Sequence, residues 1–333
     1  LGEAGNFPAA IKTTAEYFPK KDRAFSTSIF NAGATVGALA APITIPFIAK
    51  AYGWEMAFII IGALGFIWMG FWVFMYDKPD RHPRVSAAEL EYIHQDDIAD
   101  RKLEGYVPET TTKVSLMQCF KYKQTWAFAF GKFMTDGVWW FFLFWTPAYL
   151  SSVYGMDSTE AAFPLFVLYM ITLLSIIGGW LPTYFVERKG MNPYEGRMKS
   201  MLIFAFFPLL ALVAQPLGHI SYWLPVIIIG ISGAAHQSWS ANIFTTVGDM
   251  FPKKAIATIT GIGGLAGGIG STIINKGSGM LFDFTKETDM AFMGFQGIEA
   301  GYFIIFSICA VCYLIGWSVM KILVPKYTPI TDL

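Results

Sequence analysis

The sequence predicts an all-α integral membrane protein. Its 333 residues are 54% hydrophobic and only 14% charged, where a soluble domain averages about 25% charged. Mean hydropathy is +0.47. Charge-free runs of the roughly 20 residues that cross a bilayer recur at 24–49, 56–76, 137–156, 161–186, 200–248, 255–275 and 300–320. Zero formal net charge leaves no basic footprint for nucleic acid. Cys119, Cys309 and Cys312 make no disulfide framework. The C-x-x-C of Cys309 and Cys312 sits in an uncharged run, where small helix-packing residues are expected rather than a redox or metal pair.

The elements follow in order. The opening "LGEAGNFPAAIKTTAEYFPKKDR" reads as a helix that carries Glu3, Lys12 and Glu16 in an apolar pattern. Spans at 24–49 and 56–76 come next. The segment 77–122 is charged and punctuated by proline. Its "SAAE" is a capping box in which Ser86 caps a short surface helix, expected over 87–99. The run at 137 extends back through Lys132 to about residue 124. The run 200–248 is long enough for two spans, broken at "QPLGHIS" by Pro216 and Gly218. About nine helical spans result.

Lysine and arginine set the orientation. With "FPKKDR" (18–23) cytoplasmic, alternation places 77–122 with the adjoining Lys123, 187–199, 249–254 and the C-terminal tail on the same side. These segments hold nineteen of the 24 Lys and Arg. Lys50 and Lys286 fall outside, and Lys12, Lys132 and Lys276 lie within spans.

An internal repeat organises the chain. "YFPKKDRA" (17–24) resembles "MFPKKAIA" (250–257). Each ends one span and starts another rich in small residues, "NAGATVGALAAP" (31–42) and "GIGGLAGGIGS" (261–271). Six spans separate the two loops, as in the parallel repeats of secondary transporters. If the halves match, three helices and the start of a fourth precede residue 1, roughly 110 residues by the repeat logic. The expected domains are therefore 1–76 (the rest of an N-terminal six-helix half), 77–122 (central loop) and 123–333 (a C-terminal six-helix half).

Two such halves joined by a cytoplasmic loop resemble the major facilitator superfamily, with about nine of twelve helices visible. "GEAGNFPAAIKTTAEYFPKKDRA", "GKFMTDGVWWFFLFWTPAYL" and "HQSWSANIFTTVGDMFPKKAIATITGIGGLAGG" resemble its anion:cation symporter branch, and within it the bacterial hexuronate transporters. The resemblance implies proton-coupled uptake of a sugar acid by alternating access, in a multi-pass bacterial inner membrane protein. It implies no enzyme activity and no cofactor. "YFVERKGMNPYEGR" (184–197) resembles the family's signature loop weakly, through Glu187, Arg188 and Arg197.

An ionisable group at membrane depth costs at least ~2.5–3.5 kcal/mol, so each one needs a partner or a wet cavity. Glu3 lies fifteen residues before Phe18, about 22 Å along a helix. A lone carboxylate there can carry a proton or pair with another helix; the resemblance implies proton coupling. Lys12 and Glu16, at i and i+4, form a structural pair or an inner gate. Lys132 and Asp136 are also i, i+4, with Trp139 and Trp140 on the same stripe. They suit a sugar acid, whose carboxylate takes a lysine's donors and whose ring takes an indole, or they form a self-neutralised pair with aromatic packing. Phe141, Phe142 and Phe144 are expected to contact core or lipid.

"HQSWSANIF" (236–244) is the strongest polar cluster in any span. Gln237, Trp239 and Asn242 are expected to bind sugar hydroxyls, together with Lys132, Asp136, Trp140 and Asn31. Ser and Asn also bridge helices, and His236 is a packed neutral histidine or a proton relay. Gly264 and Gly268, four apart, are expected to let helices approach closely. Gly261, Gly263 and Ala266 fit a dinucleotide fingerprint, but no strand precedes them. Asn275 and Lys276 are expected at the outer vestibule, and Asp249, Lys253 and Lys254 as helix-end residues.

The expected partners are a small organic anion, a proton and the bilayer, with the protein acting as a monomer and binding no metal. Competing readings are another organic anion such as an aldonate or glucarate, and a membrane-embedded enzyme. A phosphate site would favour arginines, and no Arg is expected in any visible span. No G-x-S-x-G nucleophile or in-membrane His/Asp metal cluster appears.

Overall fold

Helices dominate the computed structural model, which describes residues 5–96, 114–157 and 160–333. In chain order they are α1 (Asn6–Tyr17), α2 (Arg23–Tyr52), α3 (Trp54–Met75), α4 (Ala87–Ile93), α5 (Leu116–Cys119) and α6 (Lys123–Tyr154). Then come α7 (Ala162–Thr172) and α8 (Ile176–Lys189), joined by the 3-10 turn Leu173–Ser175. The last are α9 (Pro193–Phe206), running through Phe207–Val213 into α10 (Ala214–Gly218), α11 (Trp223–Met250), α12 (Lys253–Glu287) and α13 (Ile298–Leu323). A two-stranded hairpin, β1 (Ala291–Phe292) with β2 (Phe295–Gln296), joins α12 to α13.

Six helical stretches among the described residues are long and apolar enough to cross a membrane: Arg23–Ala41, Trp54–Met75, Ala162–Lys189, Pro193–Gly218, Lys253–Glu287 and Ile298–Leu323. The all-α membrane architecture is as expected. Helices α6 and α11 are long enough, at 32 and 28 residues, but less apolar. They carry Lys132 and Asp136 and the polar run after His236. Gly218 ends α10, where the break in the long apolar run was expected.

The two Phe-Pro loops open in the same local form. Phe18 and Phe251 are extended, and their N–H groups donate to Thr14 and Val247, four residues back. The proline that follows cannot donate. Pro252 directly precedes α12, whereas Pro19 is followed by a turn over residues 20–22 before α2 begins at Arg23. The two corners thus share the extended Phe and its capping bond but differ in the turn that follows.

Helix α11 is the axle of the bundle. All of residues 232–250 are buried, and α11 packs on α1, α2, α6, α7, α8, α9 and α12. Helices α6, α12 and α13 form a second tight layer. Glycines allow this: a Cβ at Gly270 would lie 2.1 Å from the Phe133 carbonyl oxygen, and one at Gly263 2.0 Å from the Phe128 ring. By contrast, a Cβ at Gly264 or Gly268 would meet nothing described within 4 Å. The expected close-approach pair is therefore wrong. The contact runs along Gly263, Gly267 and Gly270, because that face of α12, rather than its neighbour, is turned to α6. The fingerprint-like Gly261, Gly263 and Ala266 lie inside this unbroken helix.

The charged segment contributes a docked helix. Ser86 caps α4 by accepting from the Glu89 N–H at 3.2 Å. Tyr92 donates to Asp22 at 2.5 Å, and the Lys20 N–H donates to Asp96 at 2.6 Å. The Asp22 carboxylate, with burial, pushes the Tyr92 hydroxyl above its ordinary range. The expected continuation of this helix over 97–99 falls outside the described residues.

Candidate functional site

Lys132 and Asp136 sit on the buried side of α6, 5% and 15% exposed at the side chain. Their i, i+4 spacing brings Nζ and Oδ1 to 2.8 Å. Nζ also lies 4.0 Å from the centre of the Phe244 ring on α11. That ring stacks on Phe7 of α1, with centroids 5.5 Å apart. Asp136 is confined from the other side by Gly267 of α12, where a Cβ would stand 2.2 Å from Oδ2. One ammonium and one carboxylate are thus held at the junction of α6, α11 and α12.

One turn further along α6, Trp139 stacks on His236 with rings 5.2 Å apart and 5° from parallel. His236 Nδ1 hydrogen-bonds the Tyr313 hydroxyl of α13 at 2.7 Å. Trp239 meets Tyr313 edge-on. Trp140 is placed differently. It is 37% exposed and stacks on Phe144, so Trp139 is the indole that faces the cluster. Phe141 and Phe142 are buried in the core, while Phe144 is exposed.

Asn242 ties α11 to α8. Its Nδ2 donates to the Gly178 carbonyl at 3.1 Å and to Ser238 at 2.8 Å, while its Oδ1 has no partner. Ser238 reaches the Ser175 carbonyl at 3.2 Å. On α2, Asn31 is 3% exposed and neither amide atom has a partner. Helices α2 and α11 are antiparallel here. Arg23 meets Gly248 and Thr27 faces Thr245 at 3.5 Å. Trp239 Nε1 and Ser175 Oγ are also buried and unpartnered, and Gln237 is buried. A buried polar group left unsatisfied costs ~1–3 kcal/mol. Such a collection calls for a polar occupant, whether water or a ligand.

Lys12 and Glu16 approach only to 3.9 Å, and Lys12 is half exposed. Glu16 is held better by Tyr76, whose hydroxyl donates at 2.8 Å. Glu3 lies outside the described residues. Asn275 accepts from the Trp145 indole at 3.0 Å and so braces α12 against α6.

The loop end of the bundle holds what sequence reasoning missed. Asp249 is no mere helix-end residue. It is buried and ion-paired with Arg197 of α9, which is 1% exposed. Arg197 also donates to the Lys20 carbonyl at 2.5 Å. Arg23 donates to the carbonyls of Gly248 at 2.7 Å, Phe18 at 3.0 Å and Ala15 at 3.1 Å. Thr183 reaches the Lys21 carbonyl at 3.3 Å. Two arginines, Arg23 and Arg197, therefore lie within helices long and apolar enough to cross a membrane, where none was expected, because each is buried near a helix start with carbonyl or carboxylate acceptors. The space beneath Phe244, lined by Ile11, Thr14, Arg23, Thr27 and Thr245, is only about 10 Å³. A roomier hollow of about 360 Å³, lined by Tyr154, Gln215, His219 and Glu299, lies at the opposite end of α6, away from the polar cluster.

The Major Facilitator Superfamily model matches residues 1–274. The chain belongs to that family. The match spans both Phe-Pro corners and the polar cluster, and a Major Facilitator Superfamily chain of this kind is a multi-pass membrane protein. This member is 28% identical over 328 residues to the hexuronate transporter of Escherichia coli K12, covering 96% of this chain and 70% of the relative. It is 30% identical over 193 residues to the galacturonate transporter of Dickeya chrysanthemi, covering 58% and 54%. It is 24% identical over 320 residues to the probable galactarate/D-glucarate transporter GarP of Escherichia coli K12, covering 94% and 69%.

Proposed function

We propose that this protein is a secondary transporter that takes up a sugar acid together with a proton by alternating access, with a hexuronate such as galacturonate or glucuronate as substrate. The observation that carries the reading is the Lys132–Asp136 pair on α6, packed against α11, together with buried and unpartnered amide and indole groups on α2 and α11. Lys132 supplies the cation for a carboxylate. Asn31, Gln237, Asn242 and Trp239 supply donors and acceptors for hydroxyls, and Trp139 an apolar face. The names of the two relatives at 28% and 30% identity support the hexuronate class. GarP supports the alternative of a related dicarboxylate sugar acid on the same site.

Residues 1–76 belong to one rocking half and 123–333 form the other, with 77–122 as the loop between them. The lysine and arginine bias places that loop and the C-terminus in the cytoplasm. The Arg197, Asp249 and Arg23 contacts then close the cytoplasmic side and must break for release. Glu3 carries the coupled proton. The carrier works as a monomer, with no cofactor and no enzymatic step.

The test is uptake of radiolabelled galacturonate by the full-length protein in liposomes under an inward proton gradient. Accumulation above equilibrium is expected. Uptake indifferent to the gradient removes symport, and uptake of glucarate alone moves the substrate to the alternative. Glu3→Gln should lose gradient-driven accumulation and keep exchange; undiminished accumulation would clear Glu3 of the role.

A further inference from the structure

Every ionic partner of Lys132 matters for what can enter the site. The described geometry gives its ammonium one carboxylate, Asp136 at 2.8 Å, and one aromatic face, Phe244 at 4.0 Å. Lys132 is buried and Asp136 mostly so, at 5% and 15% exposed. Asp136 cannot retreat towards α12, because the Gly267 backbone is against it. The other titratable groups facing the pair are His236 of α11, behind Trp139, and Tyr313 of α13, bonded to one another at 2.7 Å. Gly267 is the residue that α12 presents to the carboxylate.

An arriving sugar acid brings a second carboxylate to a site with one ammonium. In a poorly solvated interior an unmatched charge is strongly disfavoured. The empty site is neutral, one plus and one minus. Substrate alone makes it negative, and a proton alone makes it positive. Substrate and proton together restore neutrality.

We infer that Asp136 is the resident counter-ion of Lys132, displaced by the substrate carboxylate only when Asp136 takes up a proton, so that it couples the two bindings. This rests on the sugar-acid reading above. In the step, a proton from the loading side bonds an Asp136 oxygen, and the carboxylic acid lets go of Lys132. The ammonium then pairs with the substrate carboxylate. On the release side the substrate leaves, the proton dissociates and the Lys132–Asp136 pair re-forms. Asp136 thus serves as a proton site and gatekeeper rather than as a ligand for sugar hydroxyls. It acts in addition to Glu3, each carboxylate with its own proton, which raises the coupled protons of the sugar-acid reading from one to two.

The test is galacturonate binding to the full-length carrier, measured by tryptophan fluorescence between about pH 6 and pH 8. Each proton taken up with substrate weakens binding about tenfold per pH unit above the midpoint. Asp136→Asn should reduce that slope by one proton and keep tight binding at the alkaline end. Gly267→Ala leaves both charges in place and crowds Asp136 off Lys132, so binding at about pH 8 should exceed wild type. Lys132→Gln should lose binding at every pH. If Asp136→Asn and Gly267→Ala keep the wild-type profile while Lys132→Gln is dead, Asp136 is not the coupling group and the site reading stands. If Lys132→Gln binds like wild type, the site reading itself fails. Should Asp136→Asn not fold, Gly267→Ala decides alone, and an unchanged profile there overturns the inference.

Discussion

Asn31 illustrates how a single side chain can cost the fold. Its amide is buried on α2 without a partner, and a leucine of similar size would relieve that penalty. Asn31→Leu is therefore expected to stabilise the empty protein by ~1–3 kcal/mol, read as a higher melting temperature in detergent. It should also weaken galacturonate binding. Stabilisation with unchanged affinity would make Asn31 a packing residue only. Asn242 is expected to differ. Its Nδ2 already joins α11 to α8, so Asn242→Leu should lower both stability and affinity. At this scale the sequence was informative about chemistry: the polar run after His236 and the Lys132–Asp136 spacing were legible as buried groups in need of partners. It could not tell Trp139 from Trp140. The two adjacent indoles share the helical stripe, and only the packing of α11 selects one.

The helices α6 and α12 show the same limit one level up. The glycine-rich pattern announces a close crossing, but the glycines on the two adjacent faces are equivalent in sequence. Gly270→Ala should lower stability by ~1–3 kcal/mol, since a Cβ would run into the Phe133 backbone and the helices must part. Gly268→Ala meets open space and should be neutral or slightly stabilising, by up to ~1 kcal/mol. Thermal melts of the two variants separate these outcomes, and equal effects would show that the crossing is misplaced. The Phe-Pro corners were more legible, because a proline that cannot donate and an extended residue before it are local properties.

For the whole molecule, the buried Arg197–Asp249 pair is the contact to test against the proposed transport cycle. Arg197→Met leaves Asp249 buried and uncompensated, which should cost about 3–5 kcal/mol. The double change Arg197→Met with Asp249→Leu should recover most of that loss, since replacing a buried ion pair by apolar groups is often neutral. If the cytoplasmic seal is an obstacle to be broken each cycle, the double variant should also favour the state open to the loop side. Thiol labelling of Thr27→Cys beneath Phe244 would report this as faster modification. Labelling as slow as in a single Thr27→Cys control would mean that Arg197 and Asp249 do not hold the seal.

The sequence alone determined that this is a helical membrane protein and roughly where its spans fall, although α12 runs to Glu287, well past the expected end at 275, and α9 begins at Pro193 rather than at 200. Those properties follow from hydropathy, helix length and proline chemistry, all local to the chain. Tertiary structure decided which face of α12 approaches α6, which tryptophan meets His236, and that Arg197 finds Asp249 fifty-two residues away. Such choices depend on the relative rotation of packed helices and on pairings across long stretches of chain. A one-dimensional pattern constrains how far around a helix a residue lies, but not which neighbouring helix will occupy that direction.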